Sequence, residues 1–171
     1  MPMSHDQDPR LAVSLPPRHL FAMTSATKVP PADVRYFTID EANRTLPFVR
    51  KIVNDIVEEY RRWREHIHRY ELITAGRRAE DPETQEQEQF RLAVDESARR
   101  INGFMEELSM VGCVFKGFEE GLVDFHSKLD GRDVYLCWRL GEEGIGYWHE
   151  IDAGYRGRRA FTTIPAKLEG A

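Results

Sequence analysis

Gly121 to Glu150 reads GLVDFHSKLDGRDVYLCWRLGEEGIGYWHE, and the pairing of this stretch decides the fold. Residues here alternate with period 2, the spacing of a half-buried strand. Asp130-Gly131 is a strong two-residue hairpin signal of the type I′ class. Gly141-Glu142-Glu143-Gly144 reads as a second, four-residue turn. Strands are expected at about 113–118, 122–128, 133–140, 145–151 and 157–163, joined as an antiparallel meander.

The first turn places Leu129 opposite Arg132, His126 opposite Tyr135, Asp124 opposite Cys137 and Val123 opposite Trp138. The second turn, read as Leu140 opposite Ile145, places Cys137 opposite Trp148, Leu136 opposite His149 and Tyr135 opposite Glu150. Alternate residues then point to opposite sides. One face, with Val123, Phe125, Leu136, Trp138, Tyr147 and His149, is almost wholly apolar. The other carries Asp124, His126, Tyr135, Cys137, Arg139, Trp148 and Glu150.

That second face groups the residues that can do chemistry. Side chains directly opposite on an antiparallel pair stand about 5 Å apart. Asp124, His126, Cys137 and Glu150 are therefore the candidate ligand cluster. These ligand types suit zinc or a similar divalent ion, or general acid/base work by His126 with Glu150. On this register His149 faces the core, apart from Cys137. A bulge or a one-residue slip would reverse that. The cluster also reads simply as the polar side of an amphipathic sheet.

Upstream lies a helical region. Thr38-Ile39-Asp40-Glu41 matches a capping box. Apolar residues then fall at steps of 4 and 3 from Ala42 through Val49, Ile56 and Trp63 to Tyr70, a heptad seam of the coiled-coil kind. Pro47 either kinks this helix or starts a new one after a short helix ending near Arg44. Asp81-Pro82-Glu83 reads as the start of a second helix, with Asp as cap and Pro in the first turn. Its seam runs from Phe90 through Ile101 to Val111 and stops at Gly112. The first helix is basic and the second acidic. Their charges fit each other as an antiparallel hairpin, or else Arg61, Arg62, Arg64, Arg69, Arg77 and Arg78 form a face for an acidic partner or RNA.

Residues 1–34 are different again. They hold Pro2, Pro9, Pro16, Pro17, Pro30 and Pro31, with few apolar residues, and read as a disordered arm. Met23 is a possible alternative start. Residues 35–171 form one expected α+β domain: a helical hairpin at 38–111 covering one face of a four- to five-stranded antiparallel sheet at 113–163.

Composition is that of an ordinary globular protein, 41% hydrophobic and 31% charged, with a net charge of −5. Nothing in that balance favours nucleic acid or an anionic membrane. Cys113 and Cys137 carry no CxxC spacing and read as reduced thiols. Leu11 to Leu15 is too short for a signal peptide, and no run spans a membrane, so the cytoplasm is the expected compartment.

Two blocks carry a family resemblance: FTIDEANRTLPFVR at Phe37–Arg50, and GLVDF followed by GRDVYLCWRLGEEGIGYWHEIDAGYRGRRAF, ending at Phe161. The chain resembles the bacterial family catalogued as domain of unknown function 2203. The resemblance brings no activity, but it implies weight for Asp124, Arg132, Cys137, Trp138, Glu142, Trp148, His149, Gly154 and Arg158. His126 lies outside the pattern. The secondary site candidates are thus His149, Glu142, Arg132, Arg158 and Trp148, with Arg158 expected to pair with Glu142 or Glu150.

The favoured function is a small non-enzymatic binding or interaction module, self-associating as a homo-oligomer through its helices or sheet edge. A metal-dependent hydrolase-like enzyme on the polar sheet face is the alternative, and RNA binding through the arginine-rich helix a second. No P-loop or GxGxxG implies a nucleotide cofactor; a divalent metal such as zinc is the one cofactor the residues suggest.

Overall fold

The computed structural model describes residues 34–78 and 80–161. The proline-rich arm and the expected end of the last strand, 162–163, lie outside them. Two long helices, α1 (Ile39–Thr74) and α2 (Gln85–Val111), precede a sheet of β1 (Cys113–Gly117), β2 (Leu122–Leu129), β3 (Arg132–Arg139), β4 (Tyr147–Glu150) and β5 (Arg159–Ala160). The strands lie in chain order and every neighbouring pair is antiparallel. The fold is α+β, a helical pair plus an antiparallel meander.

The capping box starts α1 as expected. Glu41 N–H donates to Thr38 Oγ1 at 3.2 Å, and Thr38 N–H donates to Glu41 Oε2 at 2.8 Å. Pro47 neither divides nor ends the helix. Its neighbours Leu46 and Val49 are buried, so tertiary packing carries the chain through the lost backbone hydrogen bond. The second helix starts three residues later than Asp81-Pro82 suggests. Thr84 and Gln87 make a reciprocal capping box that satisfies two backbone donors, at 2.8 Å and 3.2 Å. Asp81 instead accepts from Arg78 N–H at 2.9 Å and closes the preceding turn.

The main core lies between α1 and the sheet. Val49, Val53, Ile56 and Phe37 meet Val123, Phe125, Leu136 and Trp138, all buried. A second cluster, Trp63, Val94, Ala98 and Ile101, fills the seam between the helices away from the sheet.

Glu59 is buried within that helical pair. Arg100 on α2 donates to it at 2.8 Å and Arg62 at 3.3 Å. Burial alone would raise the Glu59 carboxyl, but the hydrogen bond from Arg100, helped by the charge of Arg62, holds it below the ordinary carboxylate range. Arg100→Ala strands a buried carboxylate, with Arg62 as partial relief, and should cost about 2 kcal/mol at neutral pH. A lowered folded-state pKa contributes stability above the unfolded value and loses it as pH falls through the folded one. Urea melts of both proteins should therefore converge in acid. A gap that persists or widens there would mean Arg100 acts by packing alone.

The first hairpin forms as the sequence predicts. Leu129 pairs with Arg132, Asp124 with Cys137 and Val123 with Trp138. Asp130 and Gly131 both have positive φ, 50° and 74°, which the type I′ turn demands. The second hairpin does not. Cys137 pairs with Tyr147, Leu136 with Trp148, Tyr135 with His149 and Val134 with Glu150, one residue away from the expected register.

Much of the cause lies outside the hairpin. The connection from Leu140 to Gly146 starts with a turn of its own, Glu142 N–H donating to Arg139 O at 3.0 Å, and is anchored further by α1. Asn43 Oδ1 accepts from Ile145 N–H at 2.9 Å, and Arg50 donates to the carbonyls of Glu142 and Glu143 at 3.1 and 3.0 Å. Trp138 Nε1 also donates to Glu142 O at 3.0 Å. A slip of one residue turns every β4 side chain to the other face. Trp148 therefore enters the core against Leu136, His149 comes to the polar face, and Glu150 leaves it.

Candidate functional site

Three chemically capable side chains converge on the polar face of the sheet. Asp124 (β2), Cys137 (β3) and His149 (β4) are 3%, 1% and 2% exposed. Their potential ligand atoms all lie within 4.8 Å of one another. Each comes from a different strand, and cross-strand pairing alone puts Asp124 beside Cys137. His149 completes the group because of the β4 register.

The imidazole is held by its far edge. Nδ1 sits 2.8 Å from the Glu150 carbonyl oxygen. A carbonyl can only accept, so Nδ1 carries the hydrogen. Nε2 then points at Asp124 Oδ1, 3.3 Å away. In a neutral imidazole facing a carboxylate both facing atoms are acceptors, so a proton shared by the pair or a metal ion must stand between them. Burial opposes protonation of His149, but the facing Asp124 carboxylate outweighs it and raises its pKa above the ordinary histidine value. Burial first, and the Asp124 charge next, push the Cys137 thiol far above its ordinary pKa. With no metal bound, Cys137 is a neutral thiol.

The three residues form the floor of a pocket of about 410 Å³, walled by Lys116, Tyr135 and Tyr155. Its far side is the turn 151–157, which a clasp fastens. Arg158 Nη2 lies 2.8 Å from both Glu142 carboxylate oxygens, and its guanidinium stacks on Tyr147 at 4.1 Å and Tyr155 at 5.0 Å. The Arg158–Glu142 pairing is one of the two partners the sequence suggested. Arg139 donates to the Tyr155 hydroxyl at 3.3 Å.

Two members of the expected cluster stand elsewhere. Glu150 lies on the opposite face and pairs with Arg132 at 3.2 Å, because the β4 register differs. His126 shares the polar face but is separated from the triplet by the Tyr135 ring, whose centroid is 4.6 Å from His126 and 5.4 Å from His149. Burial, with the charge of Lys116, lowers the pKa of His126 and keeps it neutral. Trp148, expected beside the pocket, is core. His149, expected in the core by strand register and kept only as a secondary candidate through the family resemblance, is the third member of the site. The signal that could have found it is hydrophobic preference within Tyr147-Trp148-His149-Glu150, where Trp is the natural inward residue and His its outward neighbour.

The arginine face of α1 is partly spent within the molecule. Arg62 pairs with Glu58 and Glu59, and Arg64 with Glu119. No helix among the described residues is long and apolar enough to cross a membrane.

No curated protein and no solved structure matches the chain. One family model does match, over residues 35–161, a span that contains both helices, all five strands and every residue of the pocket. On that match, the chain belongs to the family described as uncharacterized conserved protein, DUF2203.

Proposed function

We propose that this protein is a small binding module whose ligand site is a divalent-metal centre, of the zinc type, held by Asp124, Cys137 and His149. The observation that supports it is the paired-acceptor geometry: a buried Nε2 and a buried carboxylate oxygen 3.3 Å apart, with a thiol sulfur alongside. A carboxylate, a thiolate and an imidazole are the borderline ligand set that zinc prefers. The Nδ1 hydrogen bond to a backbone carbonyl is the outer-shell contact that orients metal-binding histidines. Ligand atoms around a tetrahedral zinc stand roughly 3.3–3.8 Å apart, so closing the site takes a contraction of about 1 Å. Three protein ligands would leave one coordination position of a tetrahedral ion open, and all three line the pocket.

Protein purified without metal-affinity resin should carry close to one zinc per chain by elemental analysis. Cys137→Ser, nearly isosteric, should retain the fold and lose most of the metal. A free-metal excess of about 100 times Kd should stabilise the metal-free wild type by about 2.7 kcal/mol. Trace metal throughout, with a melting temperature indifferent to both chelator and added zinc, would remove the proposal.

A further inference from the structure

We infer that the open coordination position over Asp124, Cys137 and His149 takes a small oxyanion, a carboxylate or a phosphate, with Lys116 as its counter-charge. This rests on the metal reading above and names what the metal would present to the pocket.

Lys116 is placed by an irregularity in the sheet. Phe115 pairs with Val123 and Gly117 with Leu122, so Lys116 is the extra residue of a bulge. Bulges re-aim a side chain, and they are common beside binding sites. Here the side chain lines the pocket, its ammonium 5.2 Å from the centre of the Tyr135 ring. It is half-buried, and among the described residues it makes no ion pair. A partly desolvated cation without a carboxylate beside it is a group in want of an anion.

Charge at the centre points the same way. A divalent ion balances one carboxylate and one thiolate, with His126 and His149 neutral. Lys116 is then the surplus charge of the inner pocket. Asp152 also lines the pocket but is exposed, where water and salt screen it. Arg158 is already matched by Glu142. The volume of about 410 Å³ accommodates a ligand of several heavy atoms beyond the ion. Such a ligand would bind the metal through one oxygen and Lys116 through another.

Cobalt substituted for zinc makes the test direct, because a thiolate-ligated cobalt ion absorbs in the visible. The cobalt protein is titrated separately with acetate and with inorganic phosphate, at ionic strength fixed by perchlorate. At least one probe should shift the visible bands saturably, and which one does assigns the ligand to the carboxylate or the phosphate class. Lys116→Met should bind cobalt normally and weaken that probe roughly tenfold or more, the worth of one charge-assisted hydrogen bond. Bands indifferent to both probes overturn the inference and leave the metal reading standing. So does a Lys116→Met protein that binds the probe like wild type. A protein that binds no cobalt removes both.

Discussion

Trp138→Ala is expected to destabilise the protein by about 3–5 kcal/mol, the range for deleting a fully buried large aromatic. Trp138 is 0% exposed and sits near the C-terminal end of β3, among Val53, Val123 and Leu136. Its indole N–H holds the Glu142 carbonyl at 3.0 Å, and the Arg50 guanidinium lies 5.7 Å from its ring centre. The side chain therefore acts twice. It fills the helix–sheet interface, and it ties down the connection that sets the β4 register. Trp138→Phe separates the two roles. It keeps most of the ring volume and loses the hydrogen bond, so a cost of about 1–2 kcal/mol is expected. Urea denaturation followed by far-ultraviolet circular dichroism measures both. Because His149 depends on that register, the alanine variant should also bind zinc more weakly even where it remains folded. An alanine variant within 1 kcal/mol of wild type would mean that the interface closes over the gap and the connection is held by Asn43 and Arg50 alone.

That dependence explains what could be read from the chain and what could not. The β2–β3 pairing was legible because its determinant is local: Asp130-Gly131 permits one tight turn, and every pair down to Leu122–Arg139 follows from it. The β3–β4 pairing is not fixed by its turn residues alone. Gly141 to Gly144 is compatible with several closures, and the one adopted is held by the Trp138 indole together with Asn43 and Arg50, about a hundred residues upstream. One slipped residue then exchanged His149 for Glu150 in the site and sent Trp148 inward. Two of the three site residues, Asp124 and Cys137, came from the legible hairpin; the third, His149, came from the tertiary contact. The helices behave alike. The Thr38–Glu41 box is a local signal and holds. Pro47 is a local breaker that tertiary burial of Leu46 and Val49 overrides. At the second helix, two local signals competed, and the one satisfying two backbone donors at Thr84 and Gln87 prevailed over a single Asp cap.

The same interface predicts that Gly121→Ala costs about 2–4 kcal/mol, combining overpacking with a left-handed backbone for a residue bearing Cβ. Gly121 has φ +63° and sits where three elements meet. Its N–H donates to Gly117 O and its carbonyl accepts from Leu140 N–H, both at 3.0 Å, so it joins the β1–β2 turn to the end of β3. A Cβ there would stand 2.7 Å from Val53 Cγ1 on α1 and 2.8 Å from Leu140 Cβ. Neither neighbour can swing aside: valine is stiff at χ1, and a Cβ moves only with its backbone. Gly131→Ala provides the contrast. Its φ is +74°, yet nothing lies within 4 Å of the added carbon, so only the backbone term remains, about 1 kcal/mol. The difference between the two variants isolates the close contacts of Gly121 with Val53 on α1 and with Leu140. Equal losses in both would show that α1, with Val53, can step back from Gly121 at no cost. In that case the helix would not be the rigid wall from which Asn43 and Arg50 set the β4 register, and His149 would owe its place to the strands alone.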